Sequence, residues 1–223
     1  MNLRCIYDIP RDCSINIALD EFFFTKVNFE EIVRFYKWTG PAYTIGYFQK
    51  FPINKADNYP VVRRLTGGLS VLHNTDLSYS LIVSDNIWPY IYDQEQTYKI
   101  FHENIRKSLE AINIFCDKTV IKNDNLKSYS CVQTLYKDDL LLNSKKIVGS
   151  CQRRRGKKIL VEGSIHLNLA PEQTKTFINE FFKNLSYTLK CDTINNNLTK
   201  EEINSAIKLC KEKYNTDKWN KLF

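Results

Sequence analysis

Two adjacent glycines, Gly67 and Gly68, sit in the stretch Arg63-Arg64-Leu65-Thr66-Gly67-Gly68-Leu69-Ser70-Val71-Leu72-His73-Asn74-Thr75-Asp76-Leu77-Ser78-Tyr79-Ser80, in a chain with only seven glycines. Glycine is costly to order, so an adjacent pair marks a backbone that turns sharply or admits a close approach. Residues 61–64, 69–73 and 77–83 read as short strands, so the pair punctuates a sheet rather than a helix. Two readings follow: a plain hairpin turn, or a turn whose N–H groups receive a carbonyl, carboxylate or phosphate oxygen. The guanidinium groups before the turn, His73 after it and the hydroxyls of Ser78, Tyr79 and Ser80 favour the second.

The rest of the chain mixes helices and strands without regular alternation. Ser14 can cap a helix with Ile15, Ala18, Leu19, Phe22 and Phe23 at helical spacing. Asn16 and Asp20-Glu21 would then face away from the core. Residues 32–38 and 42–48 read as strands broken at Thr39-Gly40-Pro41, with Trp38 and Tyr43 as core or pocket wall. A helix over 92–113 carries Tyr98, Phe101, Ile105, Leu109 and Ile112 on one face, and His102 beside that stripe reads as a structural histidine. Residues 138–142, 146–152 and 159–169 are strand-rich, and a helix opens at Pro171. A capping box, Thr199-Lys200-Glu201-Glu202, opens the last helix, and Asn195-Asn196-Asn197 is the most linker-like stretch. This mixture predicts an α+β fold on a largely antiparallel mixed sheet flanked by helices.

Charge and cysteine usage narrow the classes. No window holds the roughly 20 apolar residues of a membrane span, and no signal-peptide run opens the chain, which predicts a cytoplasmic protein with no membrane partner. Seven cysteines without a C-x-x-C pair suggest neither a disulfide framework nor a zinc site. The net charge of +7 includes the run Arg153-Arg154-Arg155-Gly156-Lys157-Lys158, but no nucleic-acid recognition signature accompanies it. That run reads as a solvated turn or as a docking patch for an acidic protein.

Several motifs together resemble one family. Arg63-Arg64-x-Thr66-Gly67-Gly68-x-x-Val71-x-His73, then Asp76-Leu77-x-Tyr79-Ser80, then Lys145-Lys146-Ile147-Val148-Gly149-Ser150-x-Gln152 and Gly163-Ser164-Ile165 resemble the biotin/lipoate A/B protein ligase family. Asn16-Ile17-Ala18-Leu19-Asp20-Glu21 and Ile45-Gly46-Tyr47-Phe48-Gln49 agree with it. The resemblance covers about residues 10 to 185. It implies a ligase-like catalytic domain over 1–190, with 191–223 as a helical extension packed on it.

The resemblance implies two competing chemistries. Octanoyltransferases of the cysteine type move octanoate from acyl carrier protein, through a cysteine thioester, to the acceptor lysine of a lipoyl domain in lipoate biosynthesis. Their acceptors are 2-oxoacid dehydrogenase complexes or the glycine cleavage H protein, and they use no cofactor. Lipoate-protein ligases instead use ATP and Mg to form an acyl-adenylate. An octanoyl amidotransferase and a catalytically silent lipoyl-domain-binding homologue are further alternatives. Cys131 stands fifteen positions before Lys146, as the nucleophile does in the first group, and the Arg-Arg-x-Thr-Gly-Gly form points the same way. The resemblance therefore assigns catalysis to Cys131 and Lys146. It assigns substrate binding to Arg64, Gly67, Gly68, His73, Gly149, Ser150, Gly163 and Ser164. Arg64 and the basic run could also meet acidic partner proteins, and Val71, Leu72 and Ile147 could line an acyl tunnel. Cys151 is expected to be a packing residue. Leu69 and Glu162 depart from the family pattern.

Overall fold

A computed structural model describes residues 2–26, 30–52, 58–119 and 134–223. The first unit is β1 (Asn2–Tyr7), α1 (Cys13–Thr25) and β2 (Glu31–Tyr36), with the strands parallel and paired from Leu3 opposite Glu31 to Tyr7 opposite Phe35. A helix between parallel partners is what such a crossover requires. The small strands β3 (Ala42–Ile45), β4 (Val61–Arg63) and β5 (Val71–His73) make a separate sheet in the order β4-β3-β5. Next come β6 (Leu77–Ser84), α2 (Gln94–Glu110), β7 (Asp117–Lys118), β8 (Leu140–Leu142), β9 (Lys145–Arg155) and β10 (Lys158–Ile165). The chain continues through α3 (Pro171–Leu189), β11 (Asp192–Asn195), α4 (Lys200–Leu209) and α5 (Asp217–Asn220). The main sheet runs β11-β1-β2-β6-β10-β9-β8-β7, parallel at β11/β1/β2 and antiparallel elsewhere, the mixed, largely antiparallel α+β sheet expected.

Strand alternation divides the core. Tyr79, Leu81 and Val83 of β6 join the cluster under α2 and α3, whereas Ile82 joins the one under α1 and α4. Phe35 anchors the first cluster, its ring 5.0 Å from Phe181 and 5.7 Å from Phe177 in edge-on contacts. No helix among the described residues is long and apolar enough to cross a membrane.

Three local readings change. Helix α1 is capped by Asp12, whose carboxylate accepts from the Ser14 N–H, rather than by Ser14. Asn16 and Asp20 are fully buried, because Arg34 of β2, itself without exposure, reaches into the helix. Its guanidinium donates to Asp20 at 2.9 Å, Asp8 at 3.1 Å and the Asn16 side chain at 3.2 Å. Apolar spacing could not show this, since a buried polar face is set by a partner distant in sequence. Finally, Asn195 of the linker-like stretch ends an edge strand, β11, whereas Asn196 and Asn197 have no regular structure.

Residues 191–223 thus contribute a strand, two α-helices and, between the helices, a π-helical segment over Cys210–Tyr214. Thr199 and Glu202 make the expected capping box, and the Glu202 carboxylate also takes Arg4 at 2.7 Å. At the far end, the Trp219 indole donates to the Arg63 carbonyl at 2.8 Å, and the Arg63 guanidinium donates to the Asn220 carbonyl at 2.8 Å.

The basic run forms the β9–β10 hairpin, turning at Gly156 with a φ of +58°. Arg153 donates to the Leu65 carbonyl at 2.9 Å and lies over the Tyr47 ring, and Arg154 bonds the Ile91 carbonyl. Arg155 and Lys157 are the exposed cations of the turn.

Candidate functional site

The site forms where β6, β9 and β10 meet the small sheet. Cross-strand register lays out two rows there: Ser78, Ser164 and Gly149 in one, Tyr79, Gly163 and Ser150 in the next. Gly163 is needed in the middle of the second row, because a Cβ there would collide with the Tyr79 phenol. The missing side chain lets Tyr79 cross the strand and bring its hydroxyl 2.6 Å from Ser150 Oγ. Gly149 serves Lys146 in the same way: a Cβ would stand 2.5 Å from Lys146 Cε.

Lys146 is buried, and its ammonium donates to Asp139 Oδ2 at 2.6 Å and to the Thr134 carbonyl at 3.0 Å. Burial raises the Asp139 carboxyl above its ordinary value despite the opposing pull of Lys146. Sequence reasoning missed Asp139, although its place just before strand β8 in the same hairpin puts it within reach of Lys146.

The glycine turn folds against β3. Gly68 has a φ of +86°, a conformation glycine adopts without strain, and its carbonyl lies so close over Gly46 that no Cβ fits there. Arg64 holds the turn from behind, donating to the carbonyls of Gly67 and Leu69, both at 2.8 Å, and to the hydroxyls of Thr66 and Thr44. At 3% exposure this guanidinium borders the cavity from within, so it offers no surface to a partner protein. His73 stacks on Trp38 with centroids 4.1 Å apart, and its two nitrogens meet Asp76 Oδ2 at 2.8 Å and Thr44 Oγ1 at 2.9 Å. Burial opposes ionisation of Asp76, but His73 and the Asn74 N–H hold its carboxyl well below the usual range. Ser78 extends this network to Asp76 at 3.0 Å, to Ser164 at 2.9 Å and to the Trp38 indole at 3.0 Å.

Two cavities share this wall, and both are bordered by Ser150 and Cys151. A narrow one also touches Trp38, His73, Lys146, Gly163 and Ser164, while a wider one, about 520 Å³, also touches Gly67, Gly68, Tyr98, His102 and Asp139. Cys151, expected only to pack, therefore faces the site, with Sγ 3.0 Å from Thr66 Oγ1. Val71 borders the narrow cavity, whereas Leu72 is exposed and Ile147 lies in the core. All eight residues assigned to substrate binding, with Lys146, border one cavity or the other. Cys131 lies outside the described residues. Among the described residues, no group of three or more His, Cys, Asp or Glu could hold a metal ion.

Glu162 borders the narrow cavity; its Oε2 accepts from the Thr66 hydroxyl at 2.5 Å, while its Oε1 has no hydrogen-bond partner among the described residues. Burial, with the Asp20 carboxylate nearby, pushes its pKa up to about 8. A carboxyl whose folded pKa exceeds its unfolded value stabilises the fold fully below the unfolded pKa of about 4.3 and loses that contribution as pH rises through about 8. Glu162→Gln is therefore expected to flatten the decline in unfolding free energy between about pH 5 and pH 8, by a few kcal/mol at the alkaline end. Urea titrations across that range measure it; parallel curves for the two proteins would contradict the assignment.

A family model described as the lipoyl protein ligase A/B catalytic domain matches residues 12–202. The octanoyltransferase LipM of Oceanobacillus iheyensis is 31% identical over 172 residues, which cover 73% of this chain and 63% of that protein, so the match spans less than two thirds of that relative. The octanoyltransferase LipM of Bacillus cereus is 27% identical over 259 residues, covering 93% of each chain. A bi-partite lipoate protein ligase from Thermoplasma acidophilum, solved in a study of that ligase and its E2 lipoyl domain, superposes with a TM-score of 0.76 at 20% identity over 100% of this chain and 98% of that one, which shows a common fold. Glycine turn, lysine strand and Gly163-Ser164 strand thus occupy one wall of one fold, and the chain belongs to the lipoyl protein ligase A/B catalytic domain family.

Proposed function

We propose that this protein is an octanoyltransferase of lipoate biosynthesis. Cys131 takes octanoate from the thioester of octanoyl-acyl carrier protein and delivers it to the acceptor lysine of a lipoyl domain. The observation that carries the reading is the position of Lys146. Its buried ammonium lies 3.0 Å from the carbonyl of Thr134, three residues past Cys131 in the sequence. The relatives that carry the octanoyltransferase name support the same reaction.

The chemistry follows from the groups. A free thiol has a pKa of about 8.5, and only the thiolate attacks, so a nearby ammonium raises the reactive fraction at neutral pH. Attack of the Cys131 thiolate on the carrier thioester carbonyl gives a tetrahedral oxyanion; it collapses with loss of the carrier thiolate and leaves an S-octanoyl cysteine. Lys146 and the N–H groups of the turn at Gly67 and Gly68 can receive the oxyanion. Gly149 and Ser150 suit that task less, because they lie inside a strand paired with β10. The acceptor amine then attacks the cysteine thioester, the C–S bond breaks, and an amide forms. Exchange between two thioesters is nearly balanced in energy and amide formation is downhill, so no nucleotide is needed to drive the sequence.

Intact mass after incubation with octanoyl-acyl carrier protein, without ATP, tests the reading. The wild type should gain one octanoyl group that hydroxylamine removes, and Cys131→Ser should gain none. ATP-dependent lipoylation of an acceptor by both proteins, with no adduct on either, would instead make the chain a ligase. Binding of a lipoyl domain without either reaction would make it a silent homologue.

A further inference from the structure

His102 and Ser150 form a pair whose hydrogens can be assigned one by one. His102 Nδ1 lies 2.7 Å from the Asp138 carbonyl, which can only accept, so Nδ1 carries the ring proton. Burial first, and then the positive charge of Lys146, push the His102 pKa down to about 4, so the imidazole is neutral at physiological pH and Nε2 is an acceptor. Ser150 Oγ stands 2.6 Å from Nε2 and must therefore give its only hydrogen to the imidazole. The Tyr79 hydroxyl, 2.6 Å from the same oxygen, must in turn donate to Ser150. A hydroxyl oxygen accepts two hydrogen bonds, and no second donor meets Ser150 Oγ among the described residues, although it borders both cavities.

Toward a substrate, Ser150 is thus an acceptor and not an oxyanion donor. An incoming amine presents N–H donors and must lose a proton as it attacks; an oxyanion presents neither. We infer that Ser150 and His102 receive the proton of the attacking acceptor amine, Ser150 by direct contact and His102 through Ser150. As the amine nitrogen bonds to the thioester carbon, its proton passes to Ser150 Oγ while the Ser150 hydrogen moves to His102 Nε2. When the C–S bond breaks, the same path returns a proton from the imidazolium to the departing thiolate, so the pair is unchanged after each turnover. The surroundings suit a transient carrier: Lys146 and Lys118 oppose a lasting charge on His102, the Asp138 carbonyl keeps it oriented, and Tyr98 stacks on the ring at 5.9 Å.

The inference rests on the transferase reading, and the two half-reactions separate them. With octanoyl-N-acetylcysteamine as donor and a purified lipoyl domain as acceptor, loading is read by intact mass and transfer by the decay of the preloaded protein. Ser150→Ala and His102→Gly should slow transfer about 100-fold more than they slow loading. Added imidazole should restore transfer to His102→Gly and not to Ser150→Ala. Transfer by both variants within about twofold of wild type, or equal loss of loading and transfer without imidazole rescue, would overturn the relay while leaving the transferase standing. A wild-type protein that never loads would overturn the transferase reading and this inference with it. Matching melting curves for Ser150→Ala and wild type guard the comparison against misfolding.

Discussion

Lys146→Met is expected to slow octanoyl transfer about a thousandfold at pH 7 while leaving a folded protein. Two effects add. On the proposed mechanism, in which Lys146 stabilises the Cys131 thiolate, removing the ammonium returns the thiol toward its ordinary pKa of about 8.5, and the thiolate fraction at pH 7 falls by about tenfold or more. Loss of a charge aimed at the developing oxyanion costs a further factor of about 100. The fold survives because Asp139, already raised by burial, takes up a proton when its partner is removed. Pre-steady-state loading measured from pH 6 to 9.5 checks the argument: the variant should gain rate steadily toward pH 9, where its thiol ionises unaided, and the wild type should level off earlier. An equal loss at every pH would deny Lys146 a role in thiol ionisation.

The second large effect concerns stability. Arg34→Met removes the cation on which Asp8, Asp20 and Asn16 converge; Asp8 keeps Arg11, but the buried Asp20 carboxylate loses the guanidinium beside it. Breaking one side of such a buried network costs about 3–5 kcal/mol, whereas replacing both sides with apolar groups is often close to neutral. For a chain of this size the melting temperature should fall by roughly 6–20 °C. Arg34→Met combined with Asp20→Asn should recover part of the loss, because the stranded charge is gone. A single variant that melts within about 2 °C of wild type would show that the network adds nothing to stability.

These two sites differ in how far the sequence reveals them. The glycine turn, Lys146 and Gly163-Ser164 are legible because backbone clearance and a charged group at a fixed spacing leave local traces in residue type. Arg34 is not legible, since nothing near it in sequence distinguishes an exposed arginine from one lying over the Tyr36 ring with its guanidinium at Asp20. The same holds for Asp139 and for His102, whose roles come from β8 and β9 folding back together and from α2 packing on that face. Strand β11 escaped notice because its four residues are all exposed and polar neighbours hide the alternation that marks a half-buried strand. Its identity comes from pairing with β1, at the other end of the chain.

That pairing bears on how the molecule comes into being. Residues 2–5 meet residues 192–195, Arg4 meets Glu202 across 198 positions, and Arg63 at the head of the glycine turn is held by Trp219 and Asn220. On a ribosome adding about 5–20 residues per second, β1 waits about 10–40 s for its outer neighbour. During that interval one edge of the sheet is open to other chains, and the turn that borders the reaction site lacks its brace. Contacts so distant in sequence also slow refolding in dilute solution. A nascent chain of this protein therefore does not acquire a braced glycine turn until residues 217–220 have been made and have folded onto Arg63.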